Sequence, residues 1–391
     1  MAGTGAAAEV GRAFLGLGLT SFGGPTAHIG YFRAAFVARR GWLTDRDFAG
    51  LTALCQLLPG PASSQLGMAI GLKQAGFAGL AAAWAGFTLP SALLMTAFAA
   101  GLGPLVARAG PGLLLGFTAA AVAVVALAAR SMAATLAASR ATAVIAALAL
   151  AASLFPLGVF GPVLVILGGG LAGLLALPAP ALPEDDAPAA SGVPAPVALA
   201  CAVLLVGLLI GLPILADVSG HLLVRLADIF VRAGALVFGG GHVVLPLLES
   251  GLVGPGLIGH DTFLAGYGLA QTVPGPLFTL ASYLGFVIAG PAGALVATLS
   301  VFVPSALVLI AALPVRDRLA RLPRFAAVLS GVDAAVVGLV AAVPLRTLAS
   351  GTLANPVALA ILALSALALG RFRLPAWGVV PLAGLAGALL A

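Results

Sequence analysis

Gln56 stands three residues before Pro59-Gly60-Pro61, and Gln271 stands three residues before Pro274-Gly275-Pro276. An amide beside a helix break can donate to an oxyanion, and so can the N–H groups that the break leaves unpaired. Ser63 and Ser64 follow the first break with hydroxyls in its opening turn, whereas Leu277, Phe278 and Thr279 follow the second. Upstream, Phe22-Gly23-Gly24-Pro25 is followed by Thr26 and His28, and Phe238-Gly239-Gly240-Gly241 is followed by His242. Pro25 and Pro61 suit a first helical position, where a missing N–H costs nothing. Gly241 and Pro276 hold the equivalent places in the second copy. A half-helix that starts there points roughly +0.5 charge at its ligand, which favours an anion.

Catalytic chemistry finds no such support. The 4 His are scattered, and no His-Glu-x-x-His, nucleophile-elbow or Walker pattern is present. The chain is read as a non-enzyme without cofactor or metal. Cys55 and Cys201 both lie in apolar stretches, which offers neither a disulfide framework nor a thiolate cluster. Charged residues inside apolar runs are costly and are functional hypotheses by default. Asp228 and Arg232, four apart, read as a local helical ion pair. Asp333 has no local cation and, with Asp228, is a candidate for proton coupling. Arg33 is an electrostatic attractor, while Arg130 and Arg346 read as interfacial anchors.

The elements that must position these groups are membrane helices. Of 391 residues, 62% are hydrophobic and 8% charged, against about 25% charged in ordinary soluble domains. The net charge of +6 sits in short loops without a basic face, which signals topology and a lipid bilayer partner rather than nucleic acid. The N-terminus lacks a basic leader, so no cleavable signal peptide is expected. Apolar windows predict helices near 12–35, 47–71, 74–100, 111–129, 141–157 and 160–177, a further span at 195–215, then 221–245, 262–287, 291–313, 325–344, 355–370 and 374–390. A Pro- and Ala-rich stretch with Glu184, Asp185 and Asp186 at 178–194 reads as a linker.

The two halves repeat one another. Besides the breaks, Leu89-Pro90-Ser91-Ala92-Leu93 answers Val303-Pro304-Ser305-Ala306-Leu307, and Gly116 to Arg130 answers Gly331 to Arg346. Three units follow: an N-terminal repeat at 1–177, a linker and connecting helix at 178–220, and a C-terminal repeat at 221–391. Arg33, Arg39, Arg40 and Arg46 crowd one loop whose counterpart at 248–262 has no Lys or Arg. The bias reverses between Arg108, alone at 101–112, and Arg316, Arg318, Arg321 and Arg324 at 314–324. Opposite bias in equivalent loops is what inverted repeats predict. The predicted fold is therefore an all-α polytopic membrane protein, two inverted-topology repeats with broken or re-entrant helices and a cytoplasmic N-terminus.

The paired motifs, together with Arg40-Gly41-Trp42-Leu43, resemble the chromate ion transporter family in its long two-domain form, over nearly the whole chain. That family's pattern has an Asn where this chain has Asp333. The resemblance implies a bacterial inner-membrane protein that expels chromate from the cytoplasm. Membrane potential, a proton gradient or both would drive it, since moving one charge through 100 mV is worth about 2.3 kcal/mol and a dianion gains roughly twice that. Sulfate or another oxyanion, or an anion channel, is the alternative, and a homodimer is left open. The expected binding set in the first half is Gly23, Gly24, Pro25, Thr26, His28, Arg33, Gln56, Pro59, Gly60, Pro61, Ser63 and Ser64. In the second half it is Gly239, Gly240, Gly241, His242, Gln271, Pro274, Gly275 and Pro276.

Overall fold

The computed structural model describes residues 4–155, 157–158, 160–178, 193–238, 241–315 and 323–390. Among these there are helices and no strand, as lipid requires of a chain that does not close into a barrel. The first half runs α1 (Thr4–Thr20), α2 (Gly24–Phe32), a π-helical turn (Arg33–Arg39), α3 (Asp45–Leu57), α4 (Ala62–Ala109), α5 (Gly112–Leu136), α6 (Arg140–Ser153) and α7 (Gly161–Ala176). A connecting helix follows, α8 (Ala195–Ser219). The second half runs α9 (Leu222–Ala235), α10 (Val244–Leu252), α11 (His260–Ala270), α12 (Leu280–Ala312), α13 (Pro323–Ala349), α14 (Pro356–Gly370) and α15 (Ala376–Leu390). Five stretches, Ala62–Ala109, Gly112–Leu136, Ala195–Ser219, Leu277–Val315 and Arg324–Ala349, are long and apolar enough to cross a membrane. Most of the linker at 178–194 lies outside the described residues, as do Arg316, Arg318 and Arg321.

Boundaries differ from expectation in both halves. In the second, the expected helix 262–287 is divided between α11, ending at Ala270, and α12, beginning at Leu280, and α10 runs to Leu252 into the expected loop 248–262. Residues 101–109 continue α4 instead of forming a loop, so Arg108 lies in that helix's last turn. Pro104 does not end it, because Pro90 and Pro104 are both carried inside the helix. The expected segments 47–71 and 74–100 are also divided elsewhere: α3 ends at Leu57, and α4 begins only after Pro61, which caps it rather than occupying its first position.

α4 and α12 each double back at one Ala-Gly pair. Ala75 and Gly76 have φ/ψ of −142/27 and 62/−153, and Ala289 and Gly290 have −142/28 and 60/−153. The second conformation of each pair is open to glycine almost alone. Past the turn the two arms lie flank to flank, since a Cβ on Gly71 would run into the Gly79 backbone and one on Gly285 into that of Gly293. Gly76→Ala and Gly290→Ala should each cost about 1–3 kcal/mol of stability. Thermal unfolding in detergent checks this against Gly16→Ala, a helical glycine with open space around it. An unchanged midpoint in both kink variants would refute the strain argument.

The halves interlock rather than sit apart. α5 packs on α14 and α15, while α13 packs on α6 and α7. These crossings are glycine-paved: Gly116 meets the Ala383 backbone, and Gly331 meets Gly169 and Gly173. Small residues let membrane helices approach closely where apolar burial gives no driving force over lipid. α8 stays peripheral, with Leu199, Val203, Ile210 and Ile214 exposed and Ala198 buried.

Candidate functional site

Among the described residues, three of the four helix breaks carry left-handed glycines. Gly23 and Gly24 have φ of 102° and 76°, Gly60 120° and Gly275 98°. The breaks join across the halves. The Gly60 N–H donates to the Val237 carbonyl at 2.7 Å, and the Gly275 N–H donates to the Ser21 carbonyl at 2.9 Å. Val237 and Ser21 hold matching positions, each just before its Phe-Gly-Gly, so each Pro-Gly-Pro glycine is bonded to the other half's first break. The contacts are exchanged a second time by side chains. A Cβ on Gly60 would lie 2.5 Å from Ser305 Oγ, and one on Gly275 would lie 2.8 Å from Ser91 Oγ.

Around this junction lies a buried polar cluster. His28, 1% exposed, holds the Ser21 carbonyl with Nε2 and Ser63 Oγ with Nδ1, both at 3.2 Å. A carbonyl only accepts, so Nε2 carries the proton, and in the neutral ring the Ser63 hydroxyl donates to Nδ1. The ring stands edge-on to Phe87, with centroids 5.1 Å apart. Gln65, fully buried, donates from Nε2 to the Pro59 carbonyl at 2.7 Å and to the Ser305 carbonyl at 3.4 Å. Among the described residues, nine buried side-chain polar atoms lack a hydrogen-bond partner. Seven of them belong to the breaks and the helix faces against them: Ser21 Oγ, Ser64 Oγ, Gln65 Oε1, Trp84 Nε1, Thr88 Oγ1, Gln271 Nε2 and Ser305 Oγ. Native interiors leave few such groups, and each calls for a cause. A cluster of them at one junction reads as a place prepared for a polar ligand.

The cluster is lopsided. Where the first half has Ser21, His28, Ser63, Gln65 and Thr88, the second has Val237, Val244, Phe278, Leu280 and Phe302. Phe302 is packed between Phe278 and Trp84 at centroid distances of 6.1 and 5.9 Å. The junction offers one polar site, built mainly by the first half, with Ser305 supplied by the second.

The expected residues distribute unevenly about it. Gly23, Pro25, His28, Pro59, Gly60, Pro61, Ser63, Ser64, Pro274 and Gly275 lie in the breaks or their first turns. Gln56 is exposed, while its counterpart Gln271 is partly buried. Pro276 precedes a 3-10 turn at Leu277–Thr279, and Gly241 opens another at Gly241–Val243. His242 hydrogen-bonds the buried Tyr267 hydroxyl. Gly239, Gly240 and the Thr26 side chain lie outside the described residues. Arg33 is exposed and tied to Asp45 at 2.7 Å. Asp228 pairs with Arg232 on one helix face, and Asp333 has no ion pair among the described residues. Arg346 is not a free interfacial anchor but reaches Glu249 at 2.7 Å. Ser21, Gln65, Trp84, Thr88 and Ser305 were missed as site residues. The Pro-Ser pairs at 90–91 and 304–305 were a usable signal, since the repeat carries them in both copies.

Helix breaks duplicated in one chain and bonded to each other around a buried polar cluster belong to an all-α polytopic membrane protein. The chain belongs to the chromate transporter family, whose profile, described as Chromate transporter, matches residues 8–174 and 224–388. It is 33% identical over 338 residues to the chromate transport protein of Pseudomonas aeruginosa, covering 84% of this chain and 78% of that one. The probable chromate transport protein of Synechococcus elongatus is 28% identical over 344 residues, covering 84% and 81%. The chromate transport protein of Cupriavidus metallidurans is 28% identical over 331 residues, covering 83% and 78%. No solved structure matches the chain.

Proposed function

We propose that this protein is a secondary transporter of the bacterial inner membrane that exports chromate, a tetrahedral oxyanion, from the cytoplasm, using membrane potential, a proton gradient or both. The observation that carries the reading is the reciprocal bonding of Gly60 to Val237 and Gly275 to Ser21 around unpartnered hydroxyl and amide groups. Hydroxyls and amides suit an oxyanion and need no proton transfer to bind it. The relatives' printed names supply the particular anion.

Inverted repeats at 1–177 and 221–391, joined through 178–220, fit the opposed loop charges, and the shared Ala-Gly kinks and exchanged contacts support a repeat. Asp333, without an ion pair among the described residues, is a better proton-coupling candidate than Asp228, which Arg232 already holds. Everted vesicles assayed with labelled chromate and with labelled sulfate test the reading. An interior-positive potential should accelerate chromate uptake. Absence of uptake of either anion under every imposed gradient would sink it.

A further inference from the structure

The amide of Gln65 has only one orientation its neighbours allow. Its Nε2 faces two carbonyls, those of Pro59 and Ser305. Turning the amide over would press Oε1 against the Pro59 oxygen at 2.7 Å, two acceptors with no hydrogen between them. Oε1 is thereby left as a buried acceptor without a donor. The remaining unpartnered groups differ in kind. Trp84 Nε1 and Gln271 Nε2 only donate, and the hydroxyls of Ser21, Ser64, Thr88 and Ser305 turn to donate or accept as the ligand requires. The set is thus several donors and one fixed acceptor.

Among the described residues no Lys or Arg is bonded to these groups. Arg33, Arg232 and Arg346 are engaged by Asp45, Asp228 and Glu249. Burial cost rises with the square of charge, so a dianion here costs about four times what a monoanion does before any hydrogen bond is made. A fully deprotonated oxyanion also has nothing to offer Gln65 Oε1. A tetrahedral monoanion of the form HXO4⁻ offers acceptor oxygens to the donors and one O–H to the acceptor.

Resting on the oxyanion reading above, we propose that the site selects the monoprotonated oxyanion, hydrogen chromate rather than chromate, and that Gln65 Oε1 accepts the hydrogen bond from its O–H. The proton then travels on the substrate, and Gln65 is a specificity-determining residue.

Two titratable side chains could mimic this pH dependence. His28, from α2, holds Ser21 and Ser63, and His242, beside α11, holds Tyr267. The test is labelled chromate flux in proteoliposomes with equal pH on both sides and a clamped potential. At fixed total chromate the initial rate should follow the hydrogen chromate fraction, falling about tenfold per pH unit once chromate dominates. Sulfate, unprotonated throughout that range, should compete weakly at every pH. His28→Asn and His242→Asn should keep the slope whatever they do to the absolute rate, and Gln65→Met should flatten it. A rate that rises with the dianion, a flat wild-type profile, or sulfate competing as well as chromate overturns the proposal. So does a slope lost in either histidine variant and kept in Gln65→Met. The wild-type profile and the sulfate competition decide even if Gln65→Met does not fold. Failure of the wild type to move any oxyanion at any pH would instead strike the transport reading itself.

Discussion

Gly60→Ala should lower chromate flux at least tenfold in protein that still reaches the membrane. Two effects add. At φ 120° any side chain is strained, which costs about 1–3 kcal/mol. The new methyl would also sit 2.5 Å from Ser305 Oγ and 2.8 Å from Gln65 Nε2, and overpacking of this kind costs another ~1–3 kcal/mol. The groups that must yield are those of the polar cluster, so relief comes through displacement of the site. A distortion of ~1.4 kcal/mol there already means tenfold in affinity. Gly60→Ala combined with Ser305→Gly removes the overlap with Ser305 but neither the close contact with Gln65 Nε2 nor the backbone strain, and should recover part of the loss. Gly275→Ala is the companion case, with φ 98° and Ser91 Oγ at 2.8 Å. Wild-type flux in Gly60→Ala, with equal protein in the membrane, would show that the junction does not form the path.

Glu249→Ala should destabilise the fold by about 3 kcal/mol, and removing its partner as well should restore most of that. The Glu249 side chain is 11% exposed and meets Arg346 at 2.7 Å and His260 at 3.4 Å. His260 in turn meets Thr347 Oγ1 at 3.1 Å, and Arg346 reaches the Ser153 carbonyl at 3.5 Å. The network fastens α10, α11 and α13 to the end of α6. Breaking a buried pair costs about 3–5 kcal/mol, while replacing both partners with apolar residues is often neutral or better. The lower figure applies because the Arg346 side chain is 40% exposed. Chemical denaturation in detergent of Glu249→Ala, Glu249→Leu, Arg346→Met and Glu249→Leu/Arg346→Met checks this. Simple additivity of the two losses would refute the pairing.

The first half holds the same positions with the acidic and basic residues exchanged. Arg33 answers Glu249 and Asp45 answers His260, but that pair is 59% and 67% exposed. An exposed ion pair contributes about 0–1 kcal/mol. One repeat therefore buries a structural lock where the other leaves an exposed ion pair, in keeping with their unequal shares of the polar cluster.

Local chemistry made the elements and their breaks legible. Gly23, Gly60 and Gly275 announce turns that only glycine adopts cheaply, hydropathy announces membrane helices, and the repeated motifs announce matching positions. The Asp228 pairing with Arg232 was equally legible, because four residues along a helix is a contact by geometry alone. What tertiary structure decided is which groups meet. Gln65 and Ser305 lie 240 residues apart, and no spacing rule joins them. The same holds for Arg346 with Glu249, and for the separation of exposed Gln56 from partly buried Gln271, two residues identical in local sequence. Breaks are properties of a few consecutive residues, whereas a site is made when breaks from two interlocked halves close on each other, and only their packing sets which polar atoms are left without a partner.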